Sequence, residues 1–267
     1  MNHSPFCWSV IFVVVLCVLP AIFIFLGTRG GTLSEREHAA LEFDDTLIIF
    51  VTATSRSTTR QADITSLANT LRHEDDLYWV VLENETEVRS ILQETINRSE
   101  RPNTIISEGP GTEWQLRNRG LDYVRKNKEK VMRNYQKAVV YFGSEDYAYA
   151  VRFWDTFVKK VKKVGIWDVG RPYDRNTWTH EEKSGFRFFD LANFAVNVDL
   201  IAGSEVVFNE TCQLASVELC FLKDLKLQKK DIQHFVNTKS SEYLIWHSPR
   251  DDPNALQGLN VADYVSE

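Results

Sequence analysis

The 267-residue sequence has no block of like charge, no internal repeat, no low-complexity tract and only four cysteines. A formal net charge of -6 with no block of like charge supplies no overall field to hold a polyanion, so nucleic acid is not an expected partner. The six histidines stand singly, which argues against a zinc site. GxGxxG, GxxxxGK[ST], GxSxG and HExxH are all missing, and with them the common dinucleotide, nucleotide-hydrolase, serine-hydrolase and zinc-protease readings. Cys7 and Cys17 fall in the apolar N-terminus, while Cys212 and Cys220 fit either a disulfide or two buried thiols.

A composition of 43% hydrophobic and 25% charged residues can bury a real core. Trp8 to Leu26 carries no charged residue, about the length that crosses a hydrocarbon core as a helix. No Lys or Arg precedes it and Gly27-Thr28-Arg29 is a poor cleavage site, so an uncleaved anchor is expected. Arg29 and Arg36 follow the span and would keep the body cytosolic by the positive-inside rule. Three Asn-x-Ser/Thr glycosylation acceptors, at Asn84, Asn97 and Asn209, suit a lumenal body instead. The expected organisation is a cytosolic tail 1–7, a transmembrane signal-anchor 8–27, a stem 28–45 and a lumenal domain 46–267.

Within that domain, short continuously apolar runs at 46–53, 77–83, 103–108, 138–143 and 164–170 predict strands covered on both faces. Between them, Ile64, Leu67 and Leu71 mark one amphipathic helix, Val88, Ile91, Leu92 and Ile96 a second, and Leu121, Val124 and Val131 a third. This β-α-β-α order predicts an α/β fold with a largely parallel sheet, whose ligands bind beyond the carboxyl ends of the strands. Trp79, Trp154 and Trp167 read as core, and "VKKVKKV" (158–164) as a solvated basic helix edge.

The run "VVYFGSEDYAYA" (139–150) ends one strand in Gly143-Ser144-Glu145-Asp146. Mg²⁺ or Mn²⁺ takes carboxylate oxygens, keeps waters and draws other ligands from phosphates, so one or two acidic groups there suffice. The alternative is an N-cap for a helix over "YAYAVRFWDTFVKKV", and spacing alone favours that cap.

Four ordered segments resemble the β-1,3-glucuronosyltransferase family. "TSLANTLRHEDDLYWVVLEN" is similar to L-T-R-L-A-N-T-L followed by L-x-W-x-V-V-E-D, "VVYFGSEDYAYA" to V-V-Y-F-A-D-D-D-N-T-Y-S, "FDLANFAVNVDLI" to F-D-M-A-G-F-A-V-N-L, and "LIWHSPR" to V-W-H-T-R. The resemblance covers roughly residues 46–250 and implies a GT-A-like Rossmann-type domain in a Golgi type II membrane protein. The implied reaction moves glucuronic acid from UDP-glucuronic acid to a terminal galactose of a proteoglycan linker or glycoprotein glycan, with Mn²⁺; a homodimer is compatible with it. Carried over by position, Asp146 is the Mn²⁺ ligand, Glu145 stands for the second Asp of the triple-Asp motif, and Ser144 for the first. Asn84, Arg117, Glu145, Asp190, His247 and Arg250 fall on the donor side, and Glu210 on the general base.

The departures weigh as much. T-P-T-Y is Thr52-Ala53-Thr54-Ser55 here, without the Tyr that stacks on uracil, and the Asp that holds uridine is Asn84. Placing Glu210 as the base requires a two-residue insertion before Val217-Glu218-Leu219. The leading expectation is therefore an inverting, Mn²⁺-dependent glucuronosyltransferase. The competing one is a member without turnover that binds or assembles with an active transferase, and a third is a cytosolic-facing anchored protein.

Overall fold

The computed structural model describes residues 46–54, 57–170, 193–214, 216–235 and 243–247. All belong to the second of two compact units, Asp44–Glu267. The tail, anchor and stem expected over 1–45 lie outside the described residues, as do Ser55, Asp190 and Arg250. Among the described residues no helix is long and apolar enough to cross a membrane.

Five strands form where apolar runs predict them: β1 (Thr46–Thr54), β2 (Leu77–Glu83), β3 (Asn103–Ile106), β4 (Lys137–Gly143) and β6 (Val164–Trp167). Two more, β7 (Phe194–Asn197) and β8 (Ile232–Phe235), complete a seven-stranded sheet in the order β3-β2-β1-β4-β7-β6-β8. Every pairing is parallel except the two made by β7, with β4 and with β6.

Alternation along the strands divides the core in two. Leu47, Ile49 and Val51 face helix α3 (Glu113–Met132), which buries Leu116, Leu121 and Val124. Ile48 and Phe50 face the opposite layer, with Ile64, Leu67 and Leu71 of α1 (Arg60–Leu71) and Leu92 and Ile96 of α2 (Ser90–Asn97). Each such side chain contributes about 1.5–3 kcal/mol when fully buried, and that continuous apolar run is what fixes the central strands. Helix α3 packs closest at Gly120, where a Cβ would lie 2.8 Å from Val51 and 3.1 Å from Leu82.

Four expectations are corrected. Ile91, expected on the packed face of α2, is 46% exposed, and Val88 precedes that helix. The runs expected to be strands through 108 and 170 end at Ile106 and Trp167. The stretch after Asp146 is not one long helix: Tyr147–Tyr149 forms β5, and the helix α4 spans only Phe153–Thr156. Its alternating aromatics suit a strand, and β9 (Ile245–His247) supplies an antiparallel partner that overrides helical periodicity. Lys159 in "VKKVKKV" is not solvated: it is 10% exposed and pairs with Glu74, Asp76 and Asp155 at 2.7, 2.9 and 3.0 Å. Trp79, Trp154 and Trp167 are core, as expected.

Candidate active site

The chain runs outward from β1 through β2 to β3, then returns to place β4 on the other side of β1. Strand order thus reverses between β1 and β4, and the crevice beyond their carboxyl ends is where such sheets bind ligands. Thr52 pairs with Gly143, so Thr54 and the Ser144-Glu145-Asp146 turn lie side by side at that edge.

This turn is tightly packed from below. A Cβ on Gly143 would fall 2.2 Å from the Phe50 ring and 2.9 Å from the Tyr149 hydroxyl, so Phe50 fills the space beside this backbone position. Arg117, from the first turns of α3, is 1% exposed; it pairs with Glu113 at 2.7 Å and reaches the Gly143 carbonyl at 3.5 Å.

Asp146 and His247 meet because β5 pairs with β9, in the register Tyr147 opposite His247. His247 Nε2 is 3.4 Å from Asp146 Oδ2. Burial alone would raise the Asp146 pKa, but hydrogen bonds from His247 and Ser144 outweigh it and hold the carboxyl below its ordinary value. Its other oxygen, Oδ1, is buried without a hydrogen-bond partner. An ionised carboxylate with one desolvated, unsatisfied oxygen suits a hard cation. No group of three or more His, Cys, Asp or Glu among the described residues forms a closed cage. An ion that keeps waters and shares phosphate oxygens does not need one. The acidic stretch is therefore a turn between two strands, not a helix cap, and its donor chemistry fits Mn²⁺.

Glu145 turns the other way. It accepts a hydrogen bond from Thr54 and lies near Arg60 and Glu83. Burial, with the neighbouring Asp146 and Glu83 charges, pushes its carboxyl up to about 7 against the pull of Thr54 and Arg60. Arg60 in turn donates to Thr54 Oγ1 at 3.1 Å and forms an ion pair with Glu83, which is 1% exposed. Sequence reasoning did not single out Arg60 or Glu83; a charge closing an otherwise apolar strand was the readable signal.

Asn84 Oδ1 accepts from the Gly111 N–H at 2.7 Å, so this carboxamide holds the loop entering α3. That loop ends in a capping box: Thr112 Oγ1 accepts from Gln115 N at 3.2 Å, and Gln115 Oε1 from Thr112 N at 3.1 Å. The Thr112 hydroxyl also donates to Glu210, which therefore sits, exposed, at the N-terminus of α3. The segment carrying Glu210 is anchored one turn further on, where Asn118 exchanges hydrogen bonds of 2.9 and 2.8 Å with the Phe208 backbone. After a short helix α5 (Val198–Ala202), Phe208 itself stacks on Phe221 of α6 (Val217–Asp224) at 4.4 Å. Cys212 and Cys220 form a disulfide that closes the loop behind Glu210 onto α6. Asn97 and Asn209 are exposed, the latter in a turn where its Oδ1 accepts from Thr211 N and Oγ1. Asn84 is half-buried.

Solved structures share this fold. S. aureus TarS residues 1–349 superpose with a TM-score of 0.52 at 15% identity, over 76% of this chain and 60% of that one. The same fragment in complex with UDP gives 0.51 at 14% identity, over 75% and 60%. The fold is thus a GT-A-like glycosyltransferase fold with a mostly parallel sheet. More particularly, residues 67–250 match the profile of Glycosyltransferase family 43, and the chain belongs to that family. Among curated relatives, the galactosylgalactosylxylosylprotein 3-beta-glucuronosyltransferase sqv-8 of Caenorhabditis elegans is 26% identical, over 77% of this chain and 65% of its own length. The mouse galactosylgalactosylxylosylprotein 3-beta-glucuronosyltransferase 2 is 24% identical, over 78% and 70%. This chain therefore spans about two thirds of these relatives.

Proposed function

We propose that this protein is an inverting glucuronosyltransferase that transfers glucuronic acid from UDP-glucuronic acid to a terminal galactose of a proteoglycan linker or glycoprotein glycan. The observation that carries the reading is the Asp146–His247 pair at the strand-order reversal of a family-43 chain, with Asp146 Oδ1 buried and unpartnered. Asp146 would hold Mn²⁺, and the ion when bound supplies positive charge for the leaving diphosphate. His247 orients the Asp146 carboxylate and, with Arg250, offers donors to that diphosphate. By the resemblance, Glu145 and Asn84 would serve the nucleoside and Asp190 the sugar. Glu210 takes the proton from the acceptor hydroxyl as its oxygen attacks the anomeric carbon. The bond from that carbon to UDP breaks with its electron pair leaving on UDP, and the configuration inverts.

A lumenal, Golgi-resident domain on a single-pass type II anchor is supported by the Cys212–Cys220 disulfide and by the exposed acceptors Asn97 and Asn209. A second reading, a member without turnover that assists an active transferase, draws on Asn84, whose carbonyl oxygen serves Gly111. Incubating the full-length chain in detergent with UDP-glucuronic acid, Mn²⁺ and galactose-terminated acceptors separates the two. Metal-dependent release of UDP with a glucuronylated product supports the enzyme. Metal-dependent UDP binding without product supports the assisting role.

A further inference from the structure

Tyr149 closes β5, and its side chain turns back beneath the acidic turn. The ring is 7% exposed, stacked on Trp154 and edge-on to Phe50 and Tyr141. Its rotamer is thus fixed by packing on several sides. The hydroxyl at its tip accepts from the Ser144 N–H and donates to the Ser144 carbonyl, both at 2.9 Å. These two bonds engage the peptide planes on either side of the Ser144 Cα, the second of which leads directly into Glu145. The Ser144 side chain in turn hydrogen-bonds the Asp146 carboxylate.

The geometry points to Tyr149 as the positioning residue of this site: its hydroxyl fixes Ser144, and through Ser144 the Asp146 carboxylate that would receive the divalent cation. Tyr149 touches neither substrate nor ion and acts only through the turn. The inference rests on the donor reading above and adds to it the group that orients the cation ligand. Partners that orient a ligand typically change metal affinity by about 10–100-fold when removed, and the same range is expected here.

The test titrates UDP into the full-length chain in detergent, with and without Mn²⁺, for wild type, Tyr149→Phe and Tyr78→Phe. Tyr149→Phe keeps the packed ring and removes only the hydroxyl. Tyr78→Phe removes a different buried hydroxyl, bonded to Thr104 and Tyr123 at 2.7 and 3.0 Å, and controls for general loosening. The expected result is a loss of about 10–100-fold in Mn²⁺-dependent UDP affinity for Tyr149→Phe, with the metal-free affinity unmoved and Tyr78→Phe binding like wild type. Equal affinities for Tyr149→Phe and wild type, or an equal loss in Tyr78→Phe, would overturn the positioning role. A wild type that shows no Mn²⁺-dependent binding overturns the donor reading itself, and does so before any variant is compared. Hydrogen exchange on wild type gives a check that needs no variant. The Ser144 amide should be strongly protected, and exchange as fast as that of an open turn would rule the clamp out.

Discussion

His247 Nε2 stands 3.4 Å from Asp146 Oδ2, although one residue lies mid-way along the folded domain's sequence and the other at the end of its described part. Pairing of β5 with β9 makes this contact, and it predicts a division of labour between the partners. Asp146→Ala should abolish Mn²⁺-dependent UDP binding in calorimetry. His247→Ala should keep that binding measurable and lower kcat about 100-fold, the scale for losing one donor to a developing charge. Undiminished metal-dependent binding by Asp146→Ala would remove Asp146 from the cation site.

Glu210 is positioned by Thr112 rather than by its own neighbours in sequence. Glu210→Gln keeps a hydrogen-bond acceptor for Thr112 but cannot take a proton, so kcat should fall by about 10²–10⁴-fold while UDP affinity stays near wild type. If turnover persists in this variant, the base lies elsewhere.

The space beneath the acidic turn is already full. Gly143→Ala places a methyl 2.2 Å from the Phe50 ring, so the variant should lose about 1–3 kcal/mol, the range for overpacking. Phe50→Val in the same chain should recover part of that loss, because the ring creates the clash. A denaturation double-mutant cycle measures the coupling, and strictly additive losses would mean that the two residues do not compete for the same volume.

Cys212–Cys220 closes a short loop immediately after Glu210. Replacing both cysteines with serine should lower stability by about 2 kcal/mol and depress kcat more than UDP affinity, since the loop carries the proposed base and not the donor contacts. Thermal unfolding and steady-state kinetics on the same preparation check both.

Lys159 holds Glu74 and Asp76 together, and their titrations give the network a pH signature. Burial raises the Glu74 pKa despite the Lys159 hydrogen bond, whereas at Asp76 the bonds from Lys159 and Tyr135 outweigh burial and lower it. The raised carboxyl binds more protons folded than unfolded, so its contribution falls as pH rises through its folded pKa. The lowered one stabilises above its unfolded pKa, and that contribution is lost as pH falls through its folded pKa. In Lys159→Met both lose their cation and Glu74 is left buried. The variant should lose about 3 kcal/mol at pH 7 and recover toward pH 4.5, where Glu74 can protonate. A loss independent of pH would show that Lys159 acts through packing alone.

Much of the frame was legible in local pattern. Runs such as Leu47–Val51 and Leu77–Leu82 are continuously apolar, as in a strand covered on both faces, and the i, i+3 spacing of Leu121 and Val124 marks the inner face of α3. Local pattern misled where a distant partner intervened. "YAYAVRFW" has helical periodicity, yet Tyr147–Tyr149 is a strand because β9 offers backbone hydrogen bonds that no local window contains. "VKKVKKV" looks like a solvated edge, yet Lys159 is drawn inward by three carboxylates, two of them just ahead of β2.

The sequence by itself determined the layered α/β frame and the carboxyl edge on which a ligand site must lie, because these follow from side-chain polarity at fixed short spacings, whereas the acidic stretch, which spacing reads as a helix cap, became a turn only through the pairing of β5 with β9. Tertiary structure alone decided that His247 faces Asp146, that Thr112 holds Glu210, that Asn84 serves Gly111 and that Tyr149 clamps Ser144. Each of these depends on strand pairing or loop docking between distant segments, and chain order carries no distance information across such separations.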